Sequence, residues 1–499
     1  MAVDVSSSTG RGRVLADAIP DQATWRTRLG REGLLVLLVG GYAGLLLGLA
    51  GFLVSTDSWY ALVGGRLIVR HGLPSHNTIT LWAHGARWVD QQWLAQLAFY
   101  GLDRAGGIRL AVAVHVALLV GALAASMALA RRRGADPTSV AIVAAVAFIP
   151  LVLSSAQLRT QSFAYLLFVT IVALVTSSAA VSLKRLSLLL AIVVLWGNLH
   201  GSAVLGAGLV SLRGLADLRN DLRGGKRLTS AWLTAALPWP SLMLTPYLLS
   251  TTHYYRETIF NSTLSHYLAQ WQPSTLSILS LPLFALAVGF FWLLGRAGSA
   301  YTGFEKVAGI ALVGFGLLAA RNWVWLCLFA IALYPKALDR MRTVRRTASE
   351  PRLNRFVGAA GIGIAVIGAS VAISRPPSSF TPTFPANAAR AVGTLAAAHP
   401  GARIWATEQW ADWLLWENPR LEGRMAFDAR VELLTAAQVK RMALFSATSL
   451  LVEQVRRRYA IVVVSKGNEP DAYRMLRREG PVVYDDGKVL VVSSLKDAA

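Results

Sequence analysis

Two carboxylates in one polar block carry the first chemical signal. Asp57 stands in Ser55-Thr56-Asp57-Ser58-Trp59-Tyr60, directly after the first long apolar run, and Asp90 stands in Trp88-Val89-Asp90-Gln91-Gln92-Trp93. Ionising a carboxylate at the mouth of an apolar run is costly. Such a group suits a general base that takes a proton from a hydroxyl, or a metal ligand. The plainer alternatives are that Asp57 ends a helix in an interfacial aromatic belt and that Asp90 caps one.

Arginines supply the second signal. Arg159 lies in Leu158-Arg159-Thr160-Gln161, Arg256 follows His253-Tyr254-Tyr255, and Arg321 opens Arg321-Asn322-Trp323. Arginine grips phosphate through two parallel hydrogen bonds and stays charged in a dry site; snorkelling to the membrane interface is the alternative for each. His200, in Trp196-Gly197-Asn198-Leu199-His200-Gly201, sits where a short apolar segment breaks. Polar groups exposed at such a break line a cavity or are satisfied structurally. Arg159, Gln161, His200, Tyr255, Arg256, Arg321 and Asn322 form the candidate substrate-binding set. His71, His76 and His84 match no metal-ligand spacing and are read as solvated.

Composition sets the class that must position these residues. Hydrophobic residues make up 54% of the 499 and charged residues 15%, with a mean hydropathy of +0.47. Soluble domains carry nearer a quarter charged residues, so the chain reads as a polytopic α-helical membrane protein. The net charge of +22 falls largely in short loops between apolar runs. It therefore reads as a topology signal that meets anionic lipid, not as a nucleic-acid surface. The single cysteine, Cys327, lies inside an apolar run and cannot form an internal disulfide.

A span needs about 20 apolar residues. Candidates lie near 33–55, 108–130, 138–157, 161–181, 186–199, 201–218, 229–248, 277–295, 304–320, 322–335 and 356–374. Arg26, Arg28 and Arg31 precede the first. Basic groups at Arg131–Arg133, Lys184-Arg185, Arg213–Arg227, Arg296 and Lys336–Arg346 then all fall on the cytoplasmic side if the spans number eleven. This places residues 1–32 in the cytoplasm, 33–375 in the membrane domain, and the 56–107 loop and the C-terminal tail outside. The first run is full length and lacks a clear cleavage site, so it reads as a signal anchor. Trp93, Leu94, Leu97 and Tyr100-Leu102 are spaced as one face of a helix lying along the membrane surface.

Pro376-Pro377, Pro382 and Pro385 mark a stiff linker over 376–385. Residues 386–499 then read as a small extracytoplasmic α/β domain. Strands are expected at 403–406, 425–427, 461–464, 482–484 and 489–492, the last two joined by a hairpin at Asp485-Asp486-Gly487-Lys488. Helices are expected at 386–398, 408–417, 436–458 and 470–478. Glu408, Asp412, Asp428, Arg430 and Glu432 are its candidate contacts for an acceptor or a partner.

The motifs Asp57-Ser58-Trp59, Gly72-Leu73-Pro74 and Trp88-Val89-Asp90-Gln91-Gln92-Trp93-Leu94 resemble the first outer loop of bacterial membrane proteins in the GT-C glycosyltransferase superfamily. Further matches are Arg159-Thr160-Gln161-Ser162-Phe163, Trp196–Gly201, Thr245-Pro246-Tyr247 and Arg321-Asn322, with Trp410–Leu414 and Phe427–Arg430 in the tail. The resemblance covers nearly the whole chain, and its motifs are weakly specific for any one activity. It implies inverting transfer of a sugar from a polyprenyl-phosphate donor to an envelope glycan, lipid or protein acceptor, at the outer face of the bacterial cytoplasmic membrane. Asp57 would be the general base, and Asp90 would assist or bind a cation as in some relatives. The group often carries a second acidic residue two positions before Asp57; here Ser55 stands there, which leaves a requirement for a divalent cation open. A non-catalytic envelope-assembly protein would instead tolerate replacement of Asp57 and bind no lipid donor. A transporter of lipid-linked sugar would need ionisable residues deep within spans, where this chain has few.

Overall fold

Small residues fix how the first and last membrane helices meet. In the computed structural model, which describes residues 25–177, 179–224, 229–259, 261–342 and 351–495, α1 (Trp25–Gly48) lies against α13 (Pro351–Ser374). A Cβ on Gly40 would stand 2.0 Å from the carbonyl oxygen of Gly361, and one on Gly33 1.9 Å from that of Asn354. Only glycine lets the two backbones approach this closely, the same device that packs helices inside lipid. Residues 1–24 of the expected cytoplasmic tail, and the basic residues Lys226, Arg227, Arg345 and Arg346, lie outside the described residues.

Between these two helices run α2 (Thr56–His71), α3 (Trp93–Arg132), α4 (Pro137–Ser155), α5 (Ser162–Val175), α6 (Leu183–Leu199), α7 (Ala203–Gly224), α8 (Thr229–Ala236), α9 (Thr251–Ile259), α10 (Leu281–Ala297), α11 (Gly303–Leu318) and α12 (Trp323–Met341), with short helical turns among them. Five helices among the described residues are long and apolar enough to cross a membrane: Leu29–Gly48, α3, α4, Leu281–Ala300 and α13. The first candidate span is reshaped. Its helix starts at Trp25, breaks at Leu49, and resumes as a turn over Ala50–Leu53.

The polar block after it is largely helical. α2 follows at once, and α3 begins at Trp93 and continues through a kink into the second apolar segment. The kink is at Gly106-Gly107, where Gly107 has φ +69°, a backbone that an L side chain rarely adopts. The surface helix expected from Trp93 is thus the first limb of one bent helix.

The tail holds a four-stranded sheet of order β1-β2-β4-β3, made of β1 (Ile404–Ala406), β2 (Ile461–Ser465), β3 (Val482–Asp485) and β4 (Val489–Ser493). β1 and β2 are parallel; the β3–β4 hairpin turns at the expected residues, with Gly487 at φ +80°. Its helices are α14 (Ala386–Ala398), α15 (Glu408–Glu417), α16 (Ala436–Ala443), α17 (Ser449–Arg458) and α18 (Pro470–Glu479).

Two expectations change here. Residues 436–458 form α16 and α17 with a break around Phe445–Ala447 instead of one helix, because Thr448 caps a new start by accepting from Leu451 N. Residues 425–427 are not a strand of the sheet. Met425 makes single parallel bridges to Ile404 on one side and to Thr80 of the 56–107 loop on the other. Leu81 N and Trp82 N donate to the Met425 and Ala426 carbonyls at 2.8 and 3.0 Å. That loop therefore supplies the partner that a fifth strand would have had.

Tail and membrane helices are sewn together at further points. Arg66 of α2 donates to the Leu415 and Trp416 carbonyls at 2.6 and 2.8 Å, filling unsatisfied acceptors at the end of α15. In the 376–385 segment, Phe384 is buried edge-on against Trp59 and Trp410. We expect Gly40→Ala to lower the thermal unfolding midpoint of the detergent-solubilised protein by several degrees, as a destabilisation of about 1–3 kcal/mol would. Gly41→Ala, where a Cβ meets nothing within 4 Å, should leave it unchanged. Size-exclusion chromatography after heating reads the difference.

Candidate active site

The start of α2 places the first carboxylate. Ser58 Oγ donates to the Leu158 carbonyl at 2.7 Å, and Leu158 N donates to the Leu53 carbonyl at 2.7 Å. These two bonds pin the first turn of α2 to the connection between α4 and α5. Asp57 therefore meets Arg159, whose Nε lies 2.8 Å from Asp57 Oδ2. The pair is partly open to solvent, with side-chain exposures of 38% and 18%. Arg159 also donates to Gln270 Oε1 at 3.0 Å and to Gln157.

Arg321 occupies the short turn between α11 and α12. Its guanidinium lies 4.2 Å over the Trp271 ring and has no hydrogen-bond or ion-pair partner among the described residues. Burial lowers its pKa, and the nearby Arg159 lowers it further, opposed by Tyr254 and Asp57. Two guanidiniums and one carboxylate thus share a site with an excess of positive charge and with donors to spare. Such an arrangement accepts a phosphate.

His200 belongs to the same neighbourhood. Its Nδ1 accepts from Ser202 N at 3.0 Å and lies 2.8 Å from Ser202 Oγ. Burial, then Arg321 and Arg159, push its pKa down to about 3, so the ring is neutral with its proton on Nε2. Gln161 is buried at the start of α5. Three other members of the substrate-binding set sit elsewhere. Arg256 points to solvent, 76% exposed, beside Glu257 at 3.7 Å. Asn322 donates to the Phe315 carbonyl at 2.9 Å and braces the end of α11. Tyr255 packs among apolar side chains. Its neighbour Tyr254 instead approaches Gly201 and Gln91 and feels Glu432, Arg321 and Asp90, with burial pushing its pKa up to about 12. Spacing along α9 could have separated the two tyrosines had the helix limits been known.

Asp90 is 1% exposed. Its Oδ1 accepts from Gln96 Nε2 at 2.9 Å, while Oδ2 has no partner. Burial pushes its pKa up to about 7, opposed chiefly by Arg430. The helix starts at Trp93, so Asp90 contributes its carbonyl to the first turn, which Trp93 N approaches at 3.3 Å, and its carboxylate faces inward. The rest of the motif docks sideways. Gln91 Nε2 donates to the Gly197 carbonyl at 2.7 Å, Trp93 Nε1 donates to Asn198 Oδ1 at 2.9 Å, and Thr160 bonds Gln92. Three motifs far apart in sequence, at 88–94, 159–163 and 196–201, are thereby joined.

The tail closes the far side. Arg430, 1% exposed, bonds Asp428 at 2.5–3.1 Å, donates to Asn77 Oδ1 at 2.8 Å and lies 4.2 Å over the Trp88 ring. Burial, then Asp428, raises the pKa of Asp412, whose Oδ2 accepts from Ala429 N at 3.0 Å. Burial likewise pushes Glu432 up to about 7. The joint role of Arg430 and Asp90 escaped the sequence reading because they lie 340 positions apart and no local pattern couples them.

No group of three or more His, Cys, Asp or Glu side chains among the described residues could hold a metal ion. Asp57 is engaged by Arg159 and Asp90 by Gln96. This donor set does not make a divalent-cation site, and no step below passes through one.

No protein-family model and no curated protein matches the chain. Solved structures do. ArnT from Cupriavidus metallidurans in the apo state is 14% identical, with 89% of this chain and 94% of that chain covered and a TM-score of 0.48. ArnT bound to undecaprenyl phosphate gives 14%, 93% and 99%, with a TM-score of 0.47. The Archaeoglobus fulgidus oligosaccharyltransferase in the apo form gives 11%, 95% and 75%, with a TM-score of 0.49.

The titration of Asp90 has a sign that can be checked. Its folded pKa is raised from 3.8 to about 7, so folding favours the protonated form. That contribution is fully present below the unfolded pKa and is lost as pH rises through the folded one, at about 1.4 kcal/mol per unit. Wild-type protein should lose several degrees of unfolding midpoint between pH 5 and pH 8. Asp90→Asn, which keeps an acceptor for Gln96, should flatten that slope and be the more stable protein at pH 8. Thermal unfolding across this pH range measures it.

Proposed function

We propose that the chain transfers a sugar from a polyprenyl-phosphate-linked donor to an envelope acceptor at the outer face of the bacterial cytoplasmic membrane. In this reading the N-terminus is cytoplasmic, eleven spans form the membrane domain over 33–375, and the domain over 386–499 lies outside. The observation that carries the reading is the meeting of Asp57, Arg159 and Arg321. A proton acceptor and two phosphate-binding groups stand together where a membrane helix ends.

The acceptor hydroxyl loses its proton to a carboxylate oxygen of Asp57 as its oxygen attacks the anomeric carbon from the face opposite the phosphate. The bond from that carbon to the phosphate oxygen breaks, and the electron pair leaves with polyprenyl phosphate, so the configuration inverts. Phosphate is already a good leaving group, and two guanidiniums that neutralise its growing charge suffice without a strong acid. Arg159 has a double part. While it holds Asp57, the carboxylate is a weakened base. A phosphate that draws Arg159 to itself leaves Asp57 free to accept a proton. Asp90 assists by holding Gln96 and the 88–94 motif in register, and His200 presents its Nε2 proton to the site.

Binding of polyprenyl phosphate to purified protein tests this assignment. Arg321→Ala should weaken binding about tenfold or more, as loss of a charge-assisted contact does. Asp57→Asn should bind at least as tightly as wild type, since Arg159 is released, yet lose transfer by about 10²–10⁴-fold. Binding indifferent to both changes would favour a non-catalytic assembly protein.

A further inference from the structure

A cavity of about 470 Å³ opens beside the first turn of α2, between the outer end of the first span and the tail. Ser55, Thr56 and Gln157 form its membrane-side wall; Thr407, Glu408 and Gln409, at the start of α15, form the other. Its size is that of a small-molecule site. Thr56 precedes Asp57 directly, and Glu408 in the opposite wall feels the Asp57 charge, so the cavity lies beside the proposed base.

The character of the lining is distinctive. Hydroxyls and amides dominate, Phe52 adds an aromatic ring 68% exposed, and no Lys, Arg or His takes part. The two charged groups, Glu408 and Glu469, are both acidic. Glu469 is engaged by Ser465 N and Oγ at 2.8 and 3.1 Å. Glu408 has no hydrogen-bond or ion-pair partner for its carboxyl group among the described residues, and burial, then the charge of Asp57, pushes its pKa up to about 7. An unengaged carboxylate in a cavity wall is a free hydrogen-bond acceptor for hydroxyls. An aromatic face beside amides and a carboxylate suits a sugar ring, whose C–H faces are apolar and whose edges are hydroxyls. Two acidic side chains and no cation in the lining offer an anion no partner.

We propose that this cavity is the acceptor subsite, and that it takes a carbohydrate without negative charge, with Glu408 accepting hydrogen bonds from its hydroxyls and holding one of them toward Asp57. The proposal rests on the transferase reading and gives it an acceptor class. It also gives the tail a task, since half of the subsite is tail.

Saturation-transfer NMR on the full-length protein in lipid nanodiscs tests it, with methyl α-mannoside, methyl β-galactoside and methyl β-glucuronide as probes. Wild type should give saturation transfer to at least one neutral glycoside and none to the glucuronide. Gln409→Trp, which fills the cavity, should abolish the signal, and Glu408→Gln should weaken binding about tenfold. Glu408→Lys should admit the glucuronide. Thermal unfolding verifies that each variant is folded, and where Gln409→Trp does not fold, Thr407→Phe replaces it. Absence of any glycoside signal in wild type, preference for the glucuronide, or a signal that survives filling the cavity overturns the proposal. Polyprenyl-phosphate binding, measured on the same samples, should be unaffected by Glu408→Gln and Gln409→Trp. If it is lost only in Arg321→Ala while the glycosides fail, the acceptor proposal falls and the donor reading stands; if lipid binding is indifferent to Arg321 while glycosides bind in the cavity, the donor assignment falls instead.

Discussion

The 56–107 loop and the tail meet at one buried guanidinium. Arg430 comes from the tail, yet its partners include Asn77 and Trp88 of that loop as well as Asp428 beside it. A buried charge is tolerated only when paired and hydrogen-bonded, and removing one partner of such a pair costs about 3–5 kcal/mol. The ring of Trp88 and the amide oxygen of Asn77 therefore bind the loop to the tail by necessity. The sheet-like contact of Met425 with Thr80 follows the same line. Asp90, two residues after Trp88, is held by this joint at the base of the site, where burial makes its carboxyl reluctant to ionise.

The electrostatic plan separates two halves. On the membrane side, Arg159 and Arg321 outnumber Asp57 and leave positive charge unspent. On the tail side, Glu408, Asp412, Asp428, Glu432 and Glu469 outnumber Arg430, while burial raises the pKa of Glu408, Asp412, Glu432 and Glu469 and so holds back their negative charge. In the proposed reading, anionic and uncharged ligands meet different walls of one site, with Asp57 between them. Burial amplifies the separation, because charges in a region of low dielectric interact more strongly than in water.

The membrane class, the signal to look at Asp57 and Arg321, and most tail elements could be read from the sequence because each rests on a local pattern. Apolar length marks a span, and Asp-Gly between β-branched runs marks a hairpin, here Asp486-Gly487. What could not be read depends on pairing across the chain. Residues 425–427 look like a strand, and they do present strand-like edges; their neighbour on one side is a loop more than 300 residues earlier. The break between α16 and α17 turns on a threonine cap that competes with an otherwise continuous helical pattern. Tyr255 and Tyr254 have the same chemistry in the same motif, and only the rotation of α9 tells which one approaches Gly201. Asn322 and Arg256 show the converse: residue type alone nominates them, but one braces a helix end and the other faces solvent.

The pairing of Asp57 with Arg159 bears on how such a site avoids waste. A base that is always free at the membrane surface would activate water as readily as an acceptor. Here the carboxylate is held by an arginine that, in the proposed function, also serves as a phosphate ligand, and Arg321 has no hydrogen-bond or ion-pair partner among the described residues. The unpaired arginine needs no rearrangement to meet a phosphate, so it is the natural first contact. Arg159 must exchange one anion for another. That exchange is close to balanced in Coulomb energy, because one negative partner replaces another, and a phosphate with more charge and more acceptor oxygens than a carboxylate tips it. The base is then released at the moment the leaving group is neutralised. In that proposal proton acceptance and charge stabilisation are coupled through a single side chain, which requires Asp57 and Arg159 to be held close, as the bonds of Leu158 to Ser58 Oγ and to the Leu53 carbonyl hold them.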